Sequence, residues 1–365
     1  MEINDIRNLD SVPSPSLLVF PGRIELNIRK MLTMVGGDST RLRPHVKTHK
    51  MPEVVRMQVA VGITQFKCAT LAEVEMTADA GGRDILLAYQ PVGPNAERFL
   101  GLQERHSNIR FSTMVDSLEI VRAFGAAGKH VSLFVDIDCG MHRTGIEPGD
   151  AALELCRTIR DCAHLEFAGL HIYDGHIHEA GLAERTNAHK QALDSWIGFL
   201  EQLRKEGLEP PVIVTGGSPT FGHFAKLGWQ CSPGTTLLWD AGYDSAYPDL
   251  DFEIAAMLLS RVVSKPGGNR ICLDLGHKAV AGENPLKKRV VIPGLPDAVP
   301  VMHSEEHLVM EVPDAHSIEI GTAFLTVPWH ICPTVALHDK AHVVRDGMAT
   351  GETWSVAARN RLTKM

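Results

Sequence analysis

Apolar runs of strand length alternate with amphipathic, helix-like segments along roughly the first two thirds of this 365-residue chain. This alternation predicts parallel strands joined by crossover helices, and eight such units close a barrel of the TIM type. The predicted strands span residues 17–20, 43–47, 64–67, 84–89, 108–114, 131–136, 167–173 and 212–215. We therefore expect an α/β fold built on a (β/α)8 barrel.

The pattern changes near residue 245, where short β-like runs replace the helical periodicity. Turn-forming pairs, such as Pro-Gly at 293–294 and Pro-Asp at 296–297, separate these runs and are typical of an antiparallel β domain. We expect the barrel to occupy residues 14–245. A C-terminal antiparallel β domain is expected over residues 246–365, together with residues 1–13.

Charge and composition argue against several classes of partner. The chain has 36 Lys and Arg against 44 Asp and Glu, a net charge of −8, so no binding to nucleic acid or to an anionic membrane is expected. No apolar stretch approaches the roughly 20 residues of a transmembrane helix, and the first residues lack the order of a signal peptide. Seven cysteines without a Cys-x-x-Cys pair indicate reduced thiols in a cytoplasmic protein.

A basic string ends the second predicted strand, where residues 43–50 read Arg-Pro-His-Val-Lys-Thr-His-Lys. Strand alternation places His45, Lys47 and His49 on one face. An inward-facing lysine at the carboxyl end of a barrel strand lies where barrel active sites lie. Burial favours the free amine that forms a Schiff base, so Lys47 is a candidate for covalent chemistry. A basic strand end exposed to water is the alternative explanation of the same string.

Two glycine-rich loops follow the last predicted strand. Glycines let backbone N–H groups approach an anion, and loops at this end of a barrel often bind phosphate. Together with a Schiff-base lysine, such a cradle indicates pyridoxal phosphate (PLP), although either loop alone is also ordinary loop punctuation. The residues concerned are Thr215, Gly216, Gly217 and Ser218 in the first loop and Gly234 and Thr235 in the second.

An arginine follows the sixth predicted strand in the string Asp-Cys-Gly-Met-His-Arg-Thr-Gly, residues 138–145. The fixed positive charge of Arg143 could hold the phenolate oxygen of PLP. A structural ion pair of Arg143 with Asp136 or Asp138 is the alternative.

The basic string, the arginine string and the Thr-Gly-Gly-Ser-Pro-Thr loop at 215–220 together resemble the alanine-racemase-type (fold type III) PLP enzymes. Within that group the chain looks like the D-threonine aldolase and D-serine dehydratase branch, over roughly residues 10–360. The resemblance implies that Lys47 carries the cofactor, with Lys50 the less favoured alternative. It also implies that Arg143 faces the 3-oxygen of PLP, that Gly216, Gly217, Ser218, Gly234 and Thr235 lie near the phosphate, and that the protein forms a homodimer.

His330 and Cys332 lie two residues apart in the string Pro-Trp-His-Ile-Cys-Pro, and in an extended segment they share one face. An imidazole and a thiolate suit Zn²⁺, although a half-buried His and Cys without metal explain the same pattern. The resemblance implies a divalent cation bound by these two residues, with Zn²⁺ favoured and Mn²⁺ and Mg²⁺ open. A cysteine at the second position is closer to the dehydratase pattern than to the usual aldolase pattern.

Candidate acid–base groups end the seventh predicted strand, where residues 171–179 contain three histidines, a tyrosine and two carboxylates. Tyr173 could hydrogen-bond to or stack on the pyridine ring of PLP. His176 or His178 could take the proton of a substrate hydroxyl, because imidazole titrates near neutral pH. Of the two, His178 is preferred.

These expectations lead to a PLP- and metal-dependent enzyme acting on D-β-hydroxy-amino acids. Retro-aldol cleavage to glycine and an aldehyde, as in D-threonine aldolase, is the leading reaction. Dehydration of D-serine or D-3-hydroxyaspartate to a keto acid and ammonia uses the same groups and is the alternative. A non-catalytic PLP-binding protein is the alternative from another class, and the metal pair argues against it.

Overall fold

The computed structural model describes residues 6–361, which form two compact units. One, the barrel unit, comprises residues 30–47, 52–234 and 360–361. The other, the β unit, comprises residues 6–29, 48–51 and 235–359. Within the described residues, every helix is too short or too polar to cross a membrane.

Strands and helices alternate up to β8, and strands dominate beyond it. The strands are β1 (Ser16–Val19), β2 (Gln65–Cys68), β3 (Asp84–Leu87), β4 (Arg110–Val115), β5 (Val131–Ile137), β6 (Leu165–Ile172), β7 (Val212–Thr215), β8 (Gln230–Cys231), β9 (Ala256–Ser264), β10 (Arg270–Leu273), β11 (Val290–Val291), β12 (Val299–His303), β13 (Leu308–Glu311), β14 (Ala323–Pro328), β15 (Lys340–Arg345) and β16 (Met348–Ser355). The helices are α1 (Pro21–Met34), α2 (Pro52–Val59), α3 (Leu71–Asp79), α4 (Pro94–Arg105), α5 (Leu118–Ala126), α6 (Asp150–Asp161), α7 (Leu182–Lys205), α8 (Phe221–Phe224), α9 (Ala241–Ala246) and α10 (Ile331–Leu337).

A parallel sheet in the order β2 to β8 forms the centre of the barrel unit, and residues 42–46 join its two edges. Leu42 bridges Cys231 of β8, and the Arg43 backbone N–H donates to the Cys231 carbonyl at 2.9 Å. On the other side His45 bridges Lys67 of β2, and the Val46 N–H donates to the Lys67 carbonyl at 2.9 Å. The short segment is thus the eighth position of the barrel, and the predicted (β/α)8 fold is confirmed.

The strands predicted from sequence include one that does not belong to the barrel and omit one that does. The first predicted strand, residues 17–20, corresponds to β1, which pairs with β9 and β15 in the β unit and not with a barrel strand. Leu17, Leu18 and Val19 are fully buried, so the run lacks the alternation that distinguishes a mixed or antiparallel sheet from a parallel one. The strand that takes its place in the count is β8, whose two residues are too few to give a sequence signal.

The β unit carries the second sheet, in the order β12-β13-β10-β9-β1-β15-β16, with β14 pairing β9 and β11. All of its pairings are antiparallel except that of β1 with β15. The expected antiparallel β domain is therefore confirmed as a fold element. Its core cluster includes Leu18, Met257, Leu259 and Leu325.

A buried ion pair anchors the closing segment of the barrel. The Arg43 guanidinium is fully buried and donates to both carboxylate oxygens of Asp84, at 2.8 Å each, at the start of β3. Its Nε also donates to Gln230 Oε1 on β8 at 2.8 Å. One side chain therefore ties the segment to strands on both sides of the closure.

We predict that Arg43→Met lowers the free energy of unfolding by about 3 kcal/mol, because it leaves the largely buried Asp84 carboxylate without its partner. Arg110→Met is the matched control, since it removes an arginine from the exposed pair with Glu166, whose N–O distance is 2.7 Å. A change below about 1 kcal/mol is expected there. Chemical denaturation measures both values, and equal losses would contradict the anchoring role of Arg43.

Candidate active site

A cavity of about 230 Å³ opens at the carboxyl ends of the barrel strands. Parallel strands end on the same rim of a barrel, so side chains distant in sequence meet there. The sequence-predicted residues that line it are Lys47, Arg143 and Tyr173. Lys50, the alternative to Lys47, is not among the lining residues within the described chain.

Three cationic side chains surround the ring of Tyr173, which follows β6. The ring centroid lies 5.8 Å from Lys47 Nζ, 5.4 Å from Lys67 Nζ and 5.2 Å from Arg143 Cζ. Cations within about 6 Å of an aromatic centroid interact favourably with its face. The ring is thus shared by a cluster of positive charge that is suited to an anionic ligand.

Lys67 is the member of this cluster that sequence reasoning missed. It is the third residue of β2, and its side chain is only 2% exposed. Burial, followed by the charge of Lys47, lowers its pKa to about 7. Strand alternation predicts that Lys67 and Gln65 share one face of the strand 64–67. Nothing in the sequence of so short a strand shows whether that face is buried.

A carboxylate–imidazole pair forms another wall of the cavity. Asp136 Oδ1 lies 2.8 Å from His171 Nδ1, and its other oxygen accepts from Thr144 Oγ1 at 3.0 Å and Gln90 Nε2 at 3.1 Å. Burial opposes ionisation of Asp136, but its hydrogen bonds outweigh that cost and keep its pKa below the usual value. Burial lowers the pKa of His171, and the imidazole Nε2 is buried without a partner in the described structure.

The loop that carries Arg143 is shaped by Asp138. This carboxylate accepts from the backbone N–H groups of Gly140 at 2.9 Å and His142 at 3.0 Å, and its second oxygen lies 2.8 Å from His142 Nδ1. Asp136 is likewise engaged by His171. These partners occupy the two carboxylates that sequence alone offered to Arg143 as structural ion-pair partners.

The glycine-rich loops approach each other beside Tyr173. Gly216 has a φ of +69°, and a Cβ atom there would lie 2.6 Å from Phe224 Cδ2. A Cβ atom on Gly217 would lie 3.1 Å from the Tyr173 ring. The Gly234 N–H donates to Ser218 Oγ at 3.3 Å, which joins the two loops. The backbone at Gly216 and Gly217 is therefore packed closely against neighbouring aromatic rings, and glycine is needed there for close approach.

Two threonines of the predicted phosphate site have side-chain partners elsewhere. Thr215 Oγ1 donates to the Gln230 carbonyl at 3.1 Å across β7 and β8. Thr235 Oγ1 lies 3.7 Å from Cys332 Sγ. Any contact of these residues with phosphate would therefore come from the backbone or from a second hydroxyl interaction.

The histidines predicted to act as the base lie beyond the cavity lining. His178 is exposed, and its Nδ1 is 2.6 Å from the His176 carbonyl. His176 packs beside Gly140, and its Nδ1 is buried with no partner among residues 6–361. The imidazoles that line the cavity are His45 and His171. The assignment of the base to His178 or His176 remains a prediction.

His330 and Cys332 are brought together, although not as predicted. His330 is extended, but Cys332 belongs to α10, so helical geometry replaces the expected extended segment. Their side chains hydrogen-bond, and His330 Nδ1 lies 2.7 Å from Glu283 Oε1. Burial opposes protonation of His330, but Cys332 and then Glu283 outweigh it and raise its pKa to about 9.

Cys332 is held by hydroxyl groups. Its Sγ lies 3.1 Å from Thr48 Oγ1, and Thr48 directly follows Lys47 in the chain. Across the described residues, no group of three or more His, Cys, Asp or Glu side chains is arranged to hold a metal ion. The histidine–cysteine pair is therefore a two-residue arrangement with a carboxylate behind the imidazole.

Family models match both parts of this chain. Residues 21–239 match the model described as "Alanine racemase, N-terminal domain", and residues 255–344 match the "Putative serine dehydratase domain". The chain belongs to the alanine racemase N-terminal domain family. The resemblance to fold type III PLP enzymes of the D-threonine aldolase and D-serine dehydratase branch is thereby confirmed.

Relatives include aldolases, dehydratases and alanine racemases. D-threonine aldolase from Arthrobacter sp is 31% identical over 96% of this chain and 94% of that protein. D-threo-3-hydroxyaspartate dehydratase from Delftia sp. (strain HT23) is 30% identical over 58% of this chain and 56% of that protein. The crystal structure of D-threonine aldolase from Filomicrobium marinum superposes with a TM-score of 0.88 at 29% identity, covering 97% of both chains. The protein is accordingly an enzyme of the lyase class.

PLP is the cofactor of this family, and the cavity suits it. The lining offers an amine that can form a Schiff base, a guanidinium for a ring oxygen, and an aromatic ring. The buried His171 Nε2, which has no partner in the described chain, adds a polar group available to a ligand. The glycine loops, where a Cβ atom would clash with Phe224 at Gly216 and lie tightly against Tyr173 at Gly217, remain the predicted site of the phosphate.

We predict that Gly216→Ala weakens PLP binding and lowers the free energy of unfolding by about 2 kcal/mol, because of its positive φ and the clash with Phe224. Gly222→Ala, in the adjacent α8, is the matched control, since its Cβ would meet only Met34 Cε at 3.5 Å. Cofactor occupancy by visible absorbance and chemical denaturation measure the two effects. Similar behaviour of the two variants would rule out a tight cradle at Gly216.

Proposed function

We propose that the enzyme is a PLP- and divalent-metal-dependent aldolase that cleaves D-β-hydroxy-amino acids of the D-threonine type to glycine and an aldehyde. The single observation that carries the proposal is the meeting of Lys47, Arg143 and Tyr173 in one cavity. The aldolase direction is supported by the Arthrobacter relative, which aligns over nearly the whole chain.

Each residue of the proposed cofactor site has a distinct task. The Lys47 amine is the point of covalent attachment, and Arg143 holds the ring oxygen of the cofactor by charge. The Tyr173 ring supports the pyridine, and the loops at 216–218 and 234–235 bind the phosphate. When bound, PLP supplies an electron sink for negative charge that develops at the substrate Cα.

The chain also supplies a proton acceptor inside the cavity. Asp136 orients His171 through Nδ1, which leaves Nε2 as the nitrogen that can accept a proton or a hydrogen bond. Burial lowers the pKa of this imidazole, which favours the neutral form that can accept a proton. His178 and His176 remain the sequence-based candidates for removing the proton of the substrate hydroxyl.

We further propose that His330 and Cys332 hold a divalent cation, with Zn²⁺ favoured by the thiolate. Glu283 on His330 Nδ1 matches the carboxylate that commonly orients a metal-bound imidazole. Two protein ligands leave coordination positions open to water or substrate, which suits a catalytic ion. When bound, such a cation supplies Lewis acidity for a substrate hydroxyl.

Dehydration to a keto acid and ammonia is the second candidate. Cys332 as the second ligand is the dehydratase-like feature, and the Delftia relative is a dehydratase. The same groups serve both reactions, because the outcome depends on which proton is removed. Loss of the hydroxyl proton leads to cleavage of the Cα–Cβ bond, whereas loss of the Cα proton leads to expulsion of the hydroxyl group.

Product analysis tests the proposed reaction. With D-threonine, glycine and an aldehyde are expected, whereas keto acid and ammonia would select the dehydratase.

The metal proposal has a separate test. A chelator should abolish the activity and a divalent metal should restore it. His330→Ala should lower the activity by about 100-fold or more, because it removes a metal ligand. His316→Ala, at an exposed histidine of the same unit, should leave it unchanged. Activity indifferent to chelation would remove the metal proposal.

Borohydride reduction followed by peptide mapping tests the attachment point. The reduced cofactor is expected on Lys47, because a lysine imine becomes a stable amine on reduction. Lys47→Ala should lose the visible absorbance of covalently bound PLP. Lys50→Ala, which removes the neighbouring lysine, is the matched control and should keep it. An unchanged spectrum of Lys47→Ala, or label on another lysine, would overturn the assignment.

A further inference from the structure

Lys67 is a buried amine in the cofactor cavity to which the proposed function gives no task. Its backbone is fixed on both sides, since Lys67 N–H donates to the Pro44 carbonyl at 3.0 Å and its carbonyl accepts from Val46. Beyond β2, the Glu73 carboxylate accepts from the Ala69 N–H at 2.6 Å and fixes the chain that follows. The side chain therefore projects from a rigid frame.

The Lys67 ammonium forms no ion pair with a carboxylate inside the described chain, although it is almost fully buried. Asp136 and Asp174 attract it at longer range, where Asp136 is paired with His171, and Asp174 accepts from Thr220 through Oδ1 while its buried Oδ2 forms no hydrogen bond within residues 6–361. The ionisable groups that line the cavity with it or act on its charge are His45, Lys47, Tyr89, Asp136, Asp138, Arg143, His171, Tyr173 and Asp174. A buried amine of this kind gains a favourable partner when an anion from outside the protein lies beside it.

The strand order indicates which anionic group of PLP Lys67 would meet, the phosphate or the ring oxygen. The segment 42–46 lies between β8 and β2, and Lys47 follows it. The glycine loops follow β7 and β8 on one side of that segment, and Lys67 lies on β2 on the other side. Lys67 lies on the strand across the closing segment from those that carry the glycine loops, and it shares the Tyr173 ring with Arg143, although Gly217 also approaches that ring.

We propose that Lys67 and Arg143 together bind the anionic ring oxygen of PLP, and that Lys67 takes up a proton when the cofactor enters the cavity. The inference rests on the proposed function in taking the cavity as the PLP site. Lys67 acts here as a residue that binds cofactor, and no bond to it is formed or broken.

The direction of proton movement follows from the environment of the amine. In the cofactor-free cavity, burial and then Lys47 hold its pKa at about 7, so at a pH near 8 most of the amine is neutral. An anionic oxygen beside it favours the charged form and raises the pKa. Binding at a pH near 8 therefore draws a proton from solvent, whereas well below the pKa of the empty state the amine is already charged and the uptake disappears.

Titration calorimetry of the cofactor-free protein with PLP, in buffers of different ionisation enthalpy, measures this proton. At a pH near 8, the wild-type protein should take up about one proton more per site than Lys67→Met, and this difference should vanish near pH 6. Lys67→Met should also bind PLP about 10- to 100-fold more weakly, since it loses a charged hydrogen bond. Equal uptake and equal affinity would overturn the proposal.

Lys67→Arg is the matched control. Its guanidinium is permanently charged, so it should retain more of the affinity than Lys67→Met while losing the extra proton uptake. Cofactor-free Lys67→Met should unfold at no lower denaturant concentration than the wild-type protein, because it removes an unpaired buried amine. A marked loss of stability instead would assign Lys67 a structural role and overturn the proposal.

The α-carboxylate of a substrate is the other oxygen anion that Lys67 could bind in place of the PLP ring oxygen. D-Alanine added to the PLP-loaded proteins separates the two, because it carries this carboxylate without a β-hydroxyl. If Lys67→Met binds PLP normally but binds D-alanine more weakly, the ring-oxygen assignment is wrong. Failure of the proposed function has a different signature, since it would appear as a Lys47→Ala protein that keeps the spectrum of covalently bound PLP.

Discussion

The structure depends on the closure of its parallel sheet by a five-residue segment. Residues 42–46 bridge both β8 and β2, and the buried Arg43 guanidinium ties them to β3 through Asp84. The segment forms isolated bridges and no continuous strand ladder, so its position is fixed by these few contacts. Because Lys47 follows directly, the same contacts that close the barrel also place the amine at its mouth.

Charge in the cavity is arranged asymmetrically. Lys47, Lys67 and Arg143 share the Tyr173 ring, while Asp136 is held by His171, Thr144 and Gln90. The nearby carboxylate thus stabilises the cluster at a distance and does not neutralise any one cation by direct pairing. A cavity of this kind is selective for a polyanionic ligand, which is what a phosphorylated cofactor with an ionised ring oxygen is.

The sequence predicted the fold class and the strings that meet at the cavity, because barrel strands alternate with helices and end on one rim. It assigned β1 to the barrel because a fully buried strand looks the same in a parallel and in a mixed sheet. It missed Lys67, since burial of a single lysine comes from the tertiary environment. It placed Cys332 in an extended segment, whereas Cys332 lies in the first turn of α10. Periodicity shows which elements form, but not which way an isolated polar side chain faces.

The histidine–cysteine pair shows how chain continuity links chemical groups. Cys332 Sγ is held by Thr48, the residue after Lys47, and lies near Thr235, the residue after Gly234. In each pair of consecutive residues, one belongs to the proposed cofactor site (Lys47 or Gly234) and the next lies beside Cys332 of the proposed metal site (Thr48 or Thr235). A shift of the backbone at Lys47 would therefore also move the hydroxyl that holds the thiol. Because Lys47 and Thr48 are adjacent, we do not expect substitutions at these two residues to have additive effects on cofactor binding and metal binding.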